Sequence, residues 1–433
     1  MYRPPFHRRI LPWIFTIIFF VAAPALVFYT AGYRWNPKKE KIERNGTLII
    51  DSTPADARVY LNGRDTGETT PITMQNVTPG HYDIRVVHDG YSPWEKRLDV
   101  YPEHVTFANT IKLWKNGTFT PFTSQAVSAL ELSPNGSFIA GLSSSASSSE
   151  LFVWEPNGTL RTHRSFTQPL SSQTLIEWSP DSRALIVEDP TATGDNAWMV
   201  AVRTEAKPTP LPNGDYRWDG TSVRGISEHS RISINESDGA FERVELPIGV
   251  HDTYGDVTLR TVTGSQTFVL FQSNAPSRGL VLPAGEWHIA TLTSKMVILR
   301  DGNEWISLNP DEESPVVHRV RGDRLRPFVT RQKTTYLLVN GGELWSWDPS
   351  LDPELLLRQS QPIQEASWDE TGRAVLFATG GALIALDLDT RDGRSQTALG
   401  TRETATDFVL IKKQLLVSGS QDGQPGAWSL DVE

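Results

Sequence analysis

The chain has 433 residues, a formal net charge of −10 and no cysteine. Without cysteine there are no disulfides, no thiolate catalysis and no cysteine metal sites. The acid excess, 51 Asp and Glu against 41 Lys and Arg, argues against nucleic acid as a partner, since that affinity comes from neutralising phosphates with cations.

In chain order, residues 1–9 form a basic N-terminal tail carrying Arg3, Arg8 and Arg9. Residues 10–33 hold no formal charge and reach the roughly 20 residues that a helix needs to cross about 30 Å of hydrocarbon. A single transmembrane helix is expected, with Trp13 near one end and Tyr29, Tyr33 and Trp35 near the other, where amphipathic rings favour the interface. Pro24 is expected to kink this helix or end it early. A cleaved signal peptide would use Ala23-Pro24-Ala25 as its small-residue site. The apolar run continues through Leu26, Val27, Phe28 and Tyr29, however, where a mature N-terminus turns polar, so the reading is an uncleaved anchor. Residues 34–45, with Arg34, Lys38, Lys39, Lys41 and Arg44, read as a basic juxtamembrane linker, either lying on anionic headgroups or simply solvated. The count of flanking cations leans against export of the large C-terminal domain, but long domains cross largely regardless of charge.

Residues 46–114 alternate apolar and polar positions as half-buried strands do: Val59 and Leu61, then Tyr82, Ile84 and Val86 separated by Asp83 and Arg85. Turn signals stand between them. Asn62-Gly63 suits a type I′ hairpin and Pro79-Gly80 a type II turn, and Asp89-Gly90 marks another reversal. Such a segment makes a small sandwich or partly closed barrel.

Ser52, Pro54, Ala57, Val59, Leu61, Asn62-Gly63, Thr70-Pro71, Pro79-Gly80-His81-Tyr82 and Gly90-Tyr91 together resemble the PEGA domain, a surface-associated bacterial β module. The four residues that name the family read Pro54-Ala55-Asp56-Ala57 here, so two depart from it. Aspartate at 56 tolerates the left-handed conformation that glycine supplies in the family. The resemblance implies display outside the membrane, with a role in binding or spacing at the cell envelope, and it brings no catalytic residue with it.

Residues 115–433 are punctuated by Gly, Pro, Asn and Asp and hold an internal repeat. Strand, glycine turn and strand recur with the second turn glycine at 302, 342 and 381, intervals of 40 and 39, which is a propeller-blade period. Ser133-Pro134-Asn135-Gly136, Trp178-Ser179-Pro180-Asp181, Trp218-Asp219-Gly220 and Trp368-Asp369-Glu370-Thr371-Gly372 resemble the strand-end turn of TolB-like and WD-type propellers. Seven or eight blades fit the length, with residues 215–285 degenerate. The last unit offers three strands, and residues 118–123 alternate well enough to supply the fourth and close the ring. The expected fold is therefore an all-β ectodomain, a PEGA-like module plus a seven- or eight-bladed β-propeller, behind one transmembrane helix. Trp178 and Trp368 are expected at equivalent inner positions.

No residues are identified as catalytic, metal-ligating or cofactor-binding, and no cofactor is expected. The nine histidines are scattered without paired metal spacing. The serines of 143–149 read as a hairpin loop rather than as nucleophiles. Asp387, Asp389 and Asp392 miss the calcium-loop register by one position, and Asp311, Glu312 and Glu313 read as a solvated turn. The functional expectation is a non-enzymatic protein of the cell membrane with its C-terminal domain extracytoplasmic. Its propeller would bind an envelope protein or a cell-wall glycan, through connections such as 192–196 and 309–314. Two alternatives are a propeller hydrolase with channel carboxylates drawn from different blades and a TolB-like export accessory.

Overall fold

The computed structural model describes the chain except residues 1–5, 31–32, 37–40, 172–173, 193–195, 205, 213, 221, 228–229, 236–240, 256, 263–265, 272–277, 293–295, 310–317 and 331–332. Contacts divide it into two compact units, one of Met1–Asn116 with Asp389–Ser395 and Glu433, the other of Gly117–Leu388 with Gln396–Val432.

The first unit opens with one helix, Phe6–Thr30. Its stretch Trp13–Thr30 is long and apolar enough to cross a membrane, and none of it is buried against protein. The helix runs through Pro24 to Thr30, so the proline does not end it early. Proline withdraws one backbone donor from the ladder, and the turns on either side keep their own bonds. The segment expected as a linker instead forms a hairpin, with Tyr33–Asn36 paired to Lys41–Arg44. Its register puts Trp35 opposite Ile42 and Arg44 opposite Tyr33, and the Arg44 guanidinium lies 4.8 Å from the Tyr33 ring centre. The basic composition had hidden this short alternation.

Beyond the hairpin, two sheets form a sandwich. Gly46–Thr53 is the central strand of the first, antiparallel to Ile72–Val77 and parallel to Val105–Lys112. The second runs in the order Arg64–Thr69, Arg58–Leu61, Gly80–Val87, Trp94–Val100. Alternation sends Leu48, Ile50, Val59, Ile84, Val86 and Leu98 into one shared core. Asn62 and Gly63 both take positive φ, 49° and 75°, as a type I′ turn requires. Asp56 has φ 62°, the left-handed conformation expected of it. Pro79-Gly80 differs from expectation. Gly80 has no positive φ and begins the strand Gly80–Val87, while Tyr82 donates its hydroxyl to the Thr78 carbonyl at 2.8 Å. The pair therefore leads into a strand instead of making a type II turn.

The second unit is an eight-bladed β-propeller. Eight four-stranded antiparallel sheets follow one another along the chain. Their inner strands are Ala129–Leu132, Leu175–Trp178, Asp215–Asp219, Val250–Tyr254, His288–Leu292, Leu325–Val329, Ile363–Trp368 and Thr404–Ile411. The first of these packs against both the second and the eighth, which closes the ring. Residues 215–285, degenerate in sequence, supply the third and fourth blades with regular ladders. In the eighth sheet Phe119–Thr123 pairs with Gln424–Asp431, so the N-terminal strand completes the last blade as its alternation predicted.

Trp178, Trp218 and Trp368 occupy equivalent places. Each is buried at the end of an inner strand and donates its indole N–H to a backbone carbonyl on the preceding inner strand: Trp178 to Glu131 at 3.2 Å, Trp218 to Glu177 at 3.1 Å and Trp368 to Arg326 at 3.1 Å. The turn after the tryptophan is capped by the next side chain. Ser179 Oγ accepts from the Arg183 and Ala184 amides, and Asp369 Oδ1 does the same for Arg373 and Ala374.

Replacing Trp178 or Trp368 by alanine should lower the unfolding free energy of the propeller by about 3–5 kcal/mol, read from its midpoint in denaturant. A propeller beginning at residue 126 should fray at its eighth blade and self-associate, because removing Phe119–Thr123 bares an edge. One beginning at residue 115 should sediment as a monomer. Equal behaviour of the two would contradict a stabilising role for the closing strand.

Candidate functional site

Charged side chains on the inner strands, far apart in sequence, meet at the centre of the propeller, and they fall into two groups.

The first group joins the sixth, seventh, eighth and first blades. Arg326 Nη1 donates to Glu131 Oε1 at 2.7 Å, while its Nε and Nη2 reach the Glu365 carboxylate at 3.2 and 3.3 Å. Arg324 Nη1 adds a longer contact to Glu365 at 3.4 Å. The seventh and eighth blades lie between the sixth and the first, so the Arg326–Glu131 pair bridges the channel instead of joining neighbours. Burial works against the Arg326 charge, but Glu131, Glu365 and Asp407 outweigh it and hold its pKa well above the ordinary value. Asp407, buried, accepts the Leu130 and Phe408 amides at 2.8 and 2.7 Å. Burial, and then the charge of Glu365, push its pKa up to about 8.

The second group lies among the second to sixth blades, around a cavity of about 910 Å³. Glu177, Arg217, Asp252 and His288 line it from four inner strands. Arg217 Nη2 donates to Asp252 Oδ1 at 2.7 Å, and its guanidinium stands 5.0 Å from the Tyr254 ring centre. The other oxygen of Asp252 accepts the Ile289 amide at 2.7 Å. Glu177 opens into the cavity yet has protein mass around most of its carboxyl. That burial lifts its pKa to about 7, against the Trp218 amide and the Arg217 charge and together with the charge of Glu131. The cavity offers a carboxyl that titrates near neutrality, a tied Arg–Asp pair and an apolar wall that includes Tyr216, Trp305 and Tyr336.

The sequence features with the composition of sites lie elsewhere. The serines of 143–149 close the hairpin between Ile139–Ser144 and Ser149–Trp154. Asp389 is held by Arg391, at 2.7 Å to its Nη2, and Asp392 accepts the Arg97 amide at 2.8 Å, so these carboxylates face protein donors. Among the described residues no group of three His, Cys, Asp or Glu is placed to hold a metal. Residues 311–313 lie outside the described residues, as do 193–195 and 310–314 of the two connections expected to bind. The channel charges were missed by sequence reasoning. The available signal was the charged residue preceding two of the three marker tryptophans, Glu177 before Trp178 and Arg217 before Trp218.

Residues 45–114 match the PEGA domain family. The segment identified by resemblance thus agrees with the family match, and the PEGA domain accounts for the sandwich of the first unit. No curated protein matches the chain. Among solved structures, apo AztD from Citrobacter koseri is similar at 12% identity and a TM-score of 0.43, over 66% of this chain and 96% of that one. The β-propeller domain of Cps50 (Swd1) from Myceliophteria thermophila is similar at 12% identity and a TM-score of 0.40, over 66% and 100%. Hsv2 from Kluyveromyces lactis is similar at 12% identity and a TM-score of 0.33, over 60% and 98%. At these values none of the three carries a functional argument.

Two outcomes test the electrostatics. Truncating Arg326 to alanine leaves the half-buried Glu131 without its cation and the buried Glu365 with only the longer Arg324 contact, so stability should fall toward the lower end of about 3–5 kcal/mol. Arg326→Lys should restore part of it. Glu177 holds its proton longer in the folded state than in the unfolded chain, where its pKa is near 4.5. The folded protein therefore binds more protons between about pH 4.5 and 7, and stability declines as pH rises through that window. Glu177→Gln should flatten part of the decline in denaturant midpoints measured from pH 4.5 to 8. An unchanged slope would place the Glu177 pKa at its ordinary value.

Proposed function

We propose that the chain is a membrane-anchored bacterial envelope protein that binds without catalysis, its PEGA domain a spacer or tether and its propeller the recognition element. The observation that carries this reading is the channel cavity, which combines polar and apolar walls and is large enough for a side chain or a small molecule. Cavities of several hundred Å³ with a few convergent polar groups are where recognition sites form. The anchor rests on the apolar helix Phe6–Thr30, and the extracytoplasmic placement of the domain on the PEGA match. The partner is an envelope protein or a cell-wall glycan.

A second reading has one observation in its favour. A carboxyl lifted to about 7 inside a cavity, as Glu177 is, is what a general acid of a hydrolase needs. Asp252, the carboxylate on a nearby inner strand, is already engaged by Arg217 and the Ile289 amide, so a base would have to come from Glu188, Glu286 or Asp301. Binding is preferred because the hydrolytic reading rests on a single carboxyl.

The chain should stay with membranes through high-salt and alkaline washes, and protease added to intact cells should remove the domain. Cleavage only after lysis would place the domain in the cytoplasm and reject display. Purified envelope material should retain the protein without releasing sugars or peptides, and product formed in proportion to protein would make it an enzyme.

A further inference from the structure

The cavity is lined by five carboxylates, Glu177, Glu188, Asp252, Glu286 and Asp301, and by two guanidiniums, Arg217 and Arg300. The acids are not neighbours in one loop. They reach the void from the second, fourth and fifth blades, so their fields add inside it. The two guanidiniums offset only part of this acid. Arg217 is paired with Asp252 at 2.7 Å, and Arg300 donates to the Gly302 carbonyl at 2.7 Å while its guanidinium stands 5.0 Å from the Trp305 ring centre. Low-dielectric walls concentrate the remaining negative potential. The same cavity carries apolar and aromatic surface, including Tyr216 and Tyr336.

We propose that the propeller cavity receives a cationic group on an apolar stem, a lysine or arginine side chain of a partner protein, with Glu177 and Asp301 as its principal counter-charges. This deepens the binding role proposed above and rests on it. An anionic or neutral glycan fits the site poorly. The first would meet like charge, and the second, although its hydroxyls can donate to the carboxylates, would bring no charge to offset theirs. The stem of a basic side chain covers apolar surface while its head reaches the acids. Glu177 is faced by Arg217, Glu131 and the Trp218 amide, and a bound cation would favour its ionised form, so affinity should rise with pH through the titration of this carboxyl.

The full chain in nonionic detergent is titrated calorimetrically with acetyl-Gly-Lys-Gly-amide, with its norleucine and glutamate counterparts, and with n-butylammonium chloride. The lysine peptide should bind, the norleucine and glutamate peptides should bind about tenfold more weakly or not at all, and butylammonium should compete. Glu177→Gln and Asp301→Asn should each weaken lysine binding severalfold without lowering the denaturant midpoint at pH 7, and Glu177→Gln should remove the rise of affinity with pH. Equal binding of lysine and norleucine peptides, or lysine binding indifferent to both substitutions, overturns the proposal. Binding of butylammonium without the peptide overturns the protein side chain as occupant. If envelope material retains the chain while no cationic probe binds, this inference fails and the binding role stands. If neither binds, both fail.

Discussion

The propeller depends on one repeated bond, in which a tryptophan at the end of an inner strand donates its indole N–H across the gap to the backbone carbonyl of the strand before it. Trp178, Trp218 and Trp368 make it, and the accepting carbonyls belong to Glu131, Glu177 and Arg326. These three residues carry charges of the channel. Packing and chemistry are thereby coupled: the ring that fills the space between blades also fixes the backbone of the residue whose side chain enters the centre. A buried indole needs a partner for its donor, so the aromatic core of one blade sets the position of a charge on the blade before it.

Those charges divide the channel. On one side Arg326 crosses it to Glu131 and gathers Glu365, with Asp407 close by. Three acids around two guanidiniums, Arg326 and Arg324, leave an excess of negative charge that burial resolves by keeping a proton on Asp407, as its raised pKa indicates. Such a network contributes less to stability than to uniqueness, because a well-packed apolar substitute would avoid the desolvation that the ions incur. It ties the sixth blade to the first across the channel. On the other side Glu177 borders a cavity that remains open. The two halves arise from the placement of a few residues on strands that are otherwise alike.

Much of the architecture was legible because it depends on patterns with a fixed period or a fixed turn geometry. Asn62-Gly63, the glycines at 302, 342 and 381, and the alternation of residues 118–123 each specify a local structure that tertiary context reinforces. Pro79-Gly80 was misread because the dipeptide is compatible with a type II turn without requiring one, and strand pairing across Gly80–Val87 decides between the two. The third and fourth blades were faint because a ladder is held by backbone bonds that leave side chains free to vary. The hairpin Tyr33–Asn36 with Lys41–Arg44 was obscured by the lysines and arginines that made it resemble a linker.

The channel was illegible for a different reason. The charges that meet come from different blades, so the pairs that matter stand too far apart for a spacing argument, and a single Glu before a Trp has no meaning until the ring is closed. Closure creates the environment as well as the contacts. Glu177 in an open strand is an ordinary carboxylate, whereas in the ring the second blade presents it to Arg217 of the third and Glu131 of the first and surrounds most of its carboxyl with protein. Its altered acidity therefore comes from the packing of three consecutive blades, which no spacing of residues within one strand reveals.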